Sequence, residues 1–212
     1  MRKCGLPSKK MNNITFKQYR NIDLVLFGAL LALSEAVTTV ATNKWFYAQP
    51  MAISTTIVFI CIVMMRWGGY AVIHACLGGL VFCIASGAEA HQYLIYIVGN
   101  CFALVALIWI KLFGKEEIRK SPFKLLLFTS SAYIMMQIGR WLVSLPFGGT
   151  FSTLIGYLVS DIISLLFVVV VMLLMRNVDG MIEDQKSYLF RLQREKEEGE
   201  QTAAPLGYGD DE

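Results

Sequence analysis

The chain has 212 residues, 56% of them hydrophobic and 17% charged, with a formal net charge of +3 and a mean hydropathy of +0.54. Soluble domains carry about 45–50% apolar and about 25% charged residues, so this composition excludes an ordinary soluble domain and reads as a membrane protein. Among the five cysteines there is no CxxC pair and no zinc spacing. Cys61, Cys76, Cys83 and Cys101 lie in apolar runs, where the thiol acts as a small hydrophobe, and no cleavable signal peptide is expected.

Residues 1–21 are a basic N-terminal segment, and a first span is expected over 22–42. NKWFYAQP (43–50) leads to a short second span, 51–65; Arg66, Trp67 and Gly68-Gly69 turn the chain into a third, 70–87. The polar tip AEAHQ (88–92) precedes a fourth span, 93–113, and Pro122 punctuates the charged loop 114–124 before a fifth. Pro146 and Gly148-Gly149 close the fifth span, and a sixth runs over 151–175. Spans of roughly 15–25 residues match or nearly match about 30 Å of hydrocarbon. The expected fold class is therefore an all-α integral membrane protein of six transmembrane helices occupying 22–176. A charged cytoplasmic helical extension (177–200) and a disordered acidic tail (201–212) follow. With the N-terminus in the cytoplasm, Lys44 alone of the loop and tail cations falls outside, so both termini are expected to be cytoplasmic.

A charge inside a span is costly and is a functional-site candidate by default. Arg140 lies within the fifth span, and Tyr133, Gln137, Arg140 and Ser144 recur every three or four residues along one helical face. Tyr93, Tyr96 and Asn100 form a similar stripe on the fourth span, as do Thr153, Tyr157, Ser160, Asp161 and Ser164 on the sixth. Glu35, Thr38, Thr39 and Thr42 do so on the first, and the outer loops add Trp45, Phe46, Tyr47, Gln49, Glu89, His91 and Gln92. Convergent polar groups within apolar and aromatic walls are what a small-molecule site requires. Counting down straight helices sets Asp161 about 8–9 Å deeper than Arg140, at 1.5 Å per residue, which disfavours their pairing. Glu35 is the other candidate partner; an unpaired Arg140 would offer its fork to a ligand carboxylate or phosphate. His74 reads as a hydrogen-bonded structural residue and the ten methionines as apolar filler. No P-loop, HExxH or GxSxG is present, so catalysis, a cofactor and a metal site are not expected.

Gly28, Ala32 and Ala36 recur every four residues in FGALLALSEAV, a ridge that lets another helix approach closely. With this ridge, six spans and an outward polar pocket, the chain resembles the substrate-binding S component of an energy-coupling factor (ECF) transporter. The Ala-x-x-x-Ala motif of that family is matched by Ala32 and Ala36. The resemblance implies a capture subunit for a small organic micronutrient, a vitamin or precursor, bound in the outer half of the membrane. It implies as partners a transmembrane coupling subunit, which would meet Gly28, Ala32 and Ala36, and two cytoplasmic ATPase subunits, in a prokaryotic plasma membrane. On this reading the ligand is carboxylated and Arg140 binds its anionic group. Asn100, Gln137, Asp161 and Tyr157 supply hydrogen bonds, with Tyr96 and Tyr133 on the same stripes. Trp45, Tyr47 and Trp141 stack on the ligand or close over it. The alternative is a membrane scaffold without a ligand, resembling MreD; an intramembrane lipid enzyme and a secondary transporter are further rivals.

Overall fold

The computed structural model describes residues 15–45 and 53–202, with side chains left undescribed at 196, 197 and 199–202. These residues form helices and no strand. Three stretches are long and apolar enough to cross a membrane: Phe16–Trp45, Thr56–Ser86 and Ala90–Phe113. The pair Phe151–Ser160 and Ile162–Met175 makes a fourth if its 48° bend lies within one span. Pro122–Ser144 is long enough, but its polar stripe keeps it out of that set.

The first helix, α1 (Phe16–Trp45), begins six residues before the expected span. Its buried stripe of Asp23, Phe27, Gly28, Leu31, Glu35, Thr39 and Thr42 repeats every three or four positions. Ile22, Val25, Leu26, Leu30, Leu33, Val37 and Val40 face outward, the reverse of a water-facing helix.

The stretch 56–86 is apolar throughout but is not one rod. It divides into α2 (Thr56–Trp67) and α3 (Ala71–Ser86), joined through Gly68, whose φ of 63° and ψ of −122° suit glycine alone. A Cβ placed on Gly78 would lie 2.3 Å from the Thr56 side chain. In a continuous helix these residues would be about 33 Å apart, so α2 and α3 form an antiparallel hairpin. The twelve residues of α2 make it shorter than a full crossing.

Next come α4 (Ala90–Cys101), a 3-10 stretch (Phe102–Ala106) and α5 (Leu107–Phe113), which together fill the expected fourth span. The loop expected over 114–124 contains a short helix, α6 (Lys115–Lys120). Helix α7 (Pro122–Ser144) starts as its sequence prescribes, with Pro122 in the first turn and the Ser121 hydroxyl accepting the Lys124 N–H at 3.4 Å. The apolar run 151–175 is broken at Asp161 into α8 (Phe151–Ser160) and α9 (Ile162–Met175). The core lies where α2 and α7 meet their neighbours, around Ile57, Ile60, Met64, Phe128, Tyr133 and Met136.

The expected helical extension over 177–200 begins later than its first residues. Residues 176–184 turn, with Gly180 at φ 75°, before α10 (Gln185–Thr202) begins. This turn is docked on the bundle. Arg66 forks onto Asp23 at 2.9 and 2.7 Å and donates to the Gly180 carbonyl and to that of Met181 at 3.1 Å. Lys115 binds Asp184, Arg119 binds Glu183, and Ile182 is fully buried. A cleft of about 430 Å³ between α6 and the tail is lined by Lys115, Arg119 and Arg191 and by Glu116, Glu183 and Asp184, so it favours neither sign of charge.

Candidate functional site

Glycines decide where α4 and α7 touch. A Cβ on Gly99 would lie 2.7 Å from the Arg140 backbone, and one on Gly139 would lie 2.5 Å from Phe102 and 2.6 Å from the Gly99 carbonyl. The two helices therefore meet backbone to backbone, as small residues permit in membranes. The residue following each glycine is carried into the contact: Asn100 from α4 and Arg140 from α7.

Arg140 is 5% exposed, and its guanidinium is closely surrounded. Nε donates to Asn100 Oδ1 at 2.9 Å; Nη1 donates to Asp161 Oδ2 at 2.8 Å and to Gln137 Oε1 at 3.1 Å. Nη2 faces the Met136 sulfur at 3.8 Å. Gln137 Nε2 also donates to Asp161 Oδ2, at 2.9 Å, while the Ser164 hydroxyl donates to Asp161 Oδ1 at 2.7 Å. Asn100 Nδ2 reaches the Ala75 carbonyl of α3 at 3.4 Å. Buried polar groups are thus tied into one network, as a low-dielectric interior demands.

The Arg140–Asp161 pair corrects the expectation that they lie at different depths. That estimate assumed a straight sixth span. The 48° bend at Asp161 tilts α8, so ten residues of it descend less than a straight helix would, and Asp161 reaches Arg140. The fork assigned to a ligand anion is accordingly occupied by the chain's own acid and amides.

An aromatic wall stands beside the network. The Arg140 guanidinium lies 4.8 Å from the centre of the Tyr96 ring. Tyr96 in turn meets Tyr157 edge-on at 6.3 Å and Phe82 at 4.5 Å. Tyr96, Tyr157 and Phe82 are half-buried.

The remaining expected site residues divide. Tyr133 lies on the predicted stripe but donates its hydroxyl to the Leu158 carbonyl at 2.9 Å, joining α7 to α8. Trp141 donates its indole N–H to the Thr150 carbonyl at 3.0 Å, holding the start of α8. Trp45 is 78% exposed at the end of α1, and Tyr47 lies outside the described residues. Glu35 does not reach Arg140; it binds the start of α2, its Oε2 accepting the Thr55 and Thr56 amides at 2.7 and 2.9 Å. The expected partner-facing ridge is divided as well. Gly28 is buried, with Leu77 of α3 3.4 Å from its Cβ position, so it serves packing within the bundle. Ala32 and Ala36 are half-buried at the edge of that stripe. Sequence reading missed Phe82 and the glycine contacts; the adjacent pairs Gly99-Asn100 and Gly139-Arg140 were the available signal.

No known family, curated protein or solved structure matches this chain.

Proposed function

We propose that the chain is the substrate-capture subunit of an ECF-type importer, a six-span plasma-membrane protein with both termini in the cytoplasm. The observation carrying this reading is the convergence of α4, α7, α8 and α9 on Arg140 at the break of a bent helix. Broken helices at membrane depth are tolerated where they are buried or line a cavity, and secondary transporters place substrate sites at them. Polar groups beside the half-buried rings of Phe82, Tyr96 and Tyr157 supply the mixture that a small organic ligand needs.

The geometry changes the expected ligand chemistry. Asp161 already balances Arg140, so a simple carboxylate would have to displace it or add a second negative charge to a buried site. A neutral ligand with a planar body, or a zwitterion exchanging both charges with the pair, fits better. The outward apolar face of α1, flanked by Ala32 and Ala36, supports contact with a transmembrane coupling subunit. Energy would come from two cytoplasmic ATPase subunits. The cation distribution along the sequence supports the orientation.

The test is native mass spectrometry of the protein purified gently from its own host. One small molecule per chain, or co-purification with two ATPases, is expected. An empty protein accompanied only by cell-wall assembly proteins would replace this reading with the scaffold.

A further inference from the structure

Among the described residues three acids are buried in the bundle, and two of them have a cation. Asp23 lies 2.7 Å from Arg66, and Asp161 lies 2.8 Å from Arg140. Glu35, fully buried on α1, has no cationic partner among the described residues. Its Oε2 accepts the Thr55 amide at 2.7 Å, the Thr55 hydroxyl at 2.9 Å and the Thr56 amide at 2.9 Å. Those amides open α2, so the carboxyl group faces the positive end of a twelve-residue helix.

Only one carboxylate oxygen is satisfied in this way. Among the described residues Glu35 Oε1 has no hydrogen-bond partner, and neither do the hydroxyls of Thr39 and Thr56. All three residues are at most 2% exposed, so bulk water does not reach them. Thr39 lies one helical turn from Glu35 on the same buried stripe, and Thr56 is the residue whose amide Glu35 already holds. Native interiors seldom leave such atoms unpaired; each one calls for a specific explanation. Here the unpaired atoms are all oxygens, one of them from a carboxyl group, without nitrogen or sulfur.

Hard cations select oxygen ligands, and divalent ions take several carboxylates or retained waters. One carboxylate with neutral hydroxyls matches a single positive charge. We propose that Glu35, Thr39 and Thr56 form a site for a dehydrated monovalent cation of sodium's size. The ion balances the third buried acid and joins α1 to the start of α2. The Ser54 amide donates to Ser164 Oγ at 2.8 Å, and Ser164 donates to Asp161, so the site is linked by hydrogen bonds to the Arg140 network. The inference stands on burial and unpaired atoms and does not rest on the uptake reading.

The test is thermal unfolding of the full-length protein in neutral detergent at constant pH and ionic strength. Sodium, lithium, potassium and choline chloride are compared. A saturable rise in Tm with sodium, absent in choline, is expected. Thr39→Val keeps the carboxylate and its bonds to α2, and should raise the half-saturating sodium concentration tenfold or more. Glu35→Gln should abolish the response; where it fails to fold, Thr39→Val decides. The same Tm in sodium and choline, or an unchanged sodium midpoint in Thr39→Val, overturns the site. A Tm that follows pH and ignores the cation overturns it too, leaving Glu35 a protonated acid.

Discussion

Arg66 and Arg140 are equally hidden, at 6% and 5% exposure, and each faces an aspartate. They are held differently. Arg66 places two nitrogens on two oxygens of Asp23, at 2.9 and 2.7 Å, and gives its remaining donors to the carbonyls of Gly180 and Met181. The Trp67 indole adds a further bond to Asp23, at 2.6 Å. Arg140 reaches a single oxygen of Asp161 and shares it with Gln137, while its other partners are amide and thioether groups. A bidentate fork backed by main-chain carbonyls is a fixed clamp; a one-oxygen contact at a helix break has neutral groups able to re-pair when its geometry changes. The same residue pair thus serves as a fastening at one end of the bundle and as a candidate exchangeable site at the other.

The comparison breaks most sharply at the clamp. Arg66→Met leaves Asp23 buried without its cation and takes the Arg66 bonds from the Gly180 and Met181 carbonyls, of which Gly180 keeps Gln185 Nε2 at 2.8 Å, so a loss of about 3–5 kcal/mol is expected. Thermal unfolding in detergent measures the loss, and faster proteolysis within 176–184 would report release of the tail. The Asp161→Asn change should cost less, about 2–3 kcal/mol, because Asn100 and Gln137 still bond the guanidinium. The decisive contrast lies in the double replacements. Arg140→Met with Asp161→Leu should restore near-native stability, since apolar residues can replace a buried pair, yet abolish ligand retention. Arg66→Met with Asp23→Leu should stay destabilised, because the Met181 carbonyl remains without Arg66 and the Trp67 indole without Asp23. Equal recovery in both would erase the distinction.

Much of this organisation was legible in the sequence. The six apolar runs became helices near their expected places, because membrane-length hydropathy and Gly-Gly or proline turns are strong local signals. The stripes on α4, α7 and the bent pair α8–α9 do meet, since helical periodicity alone puts Tyr96 and Asn100, or Gln137 and Arg140, on one face. The break at Asp161 was not legible. The run 151–175 is apolar on either side of it, and the bend accompanies tertiary bonds from Arg140, Gln137 and Ser164 to its carboxylate. Small residues were legible only in part: the ridge in α1 stands out by its spacing, whereas the close approach of α4 and α7 uses Gly99 and Gly139, which belong to no regular spacing.

That approach sets a further expectation. Gly139→Ala would put a Cβ 2.5 Å from Phe102, forcing α4 and α7 apart and costing about 1–2 kcal/mol. The bonds from Arg140 to Asn100 and Asp161 should loosen with the helices, so ligand retention would fall more steeply than Tm. Gly156→Ala, which meets nothing within 4 Å, is the matched control.

The smallest effect expected lies in the tail's ion pairs and separates them from the Arg66 clamp. Burial by itself would raise the Asp184 carboxyl, but the hydrogen bond and charge of Lys115, with Ser187, outweigh it and hold the group below its ordinary 3.8. A carboxyl depressed in the folded state adds stability above its unfolded value and loses it as pH falls through the lower folded one. Tail docking should therefore be indifferent to pH between 7 and 5 and weaken only below about pH 4. Asp184 is 36% exposed, so screening by water and salt holds the contribution under about 1 kcal/mol. Hydrogen exchange across 180–188, corrected for intrinsic rates, should rise modestly in acid and in Lys115→Met at neutral pH, without a change in the membrane helices. A rise in Lys115→Met as large as that in Arg66→Met would move the fastening from Arg66 to the surface pairs.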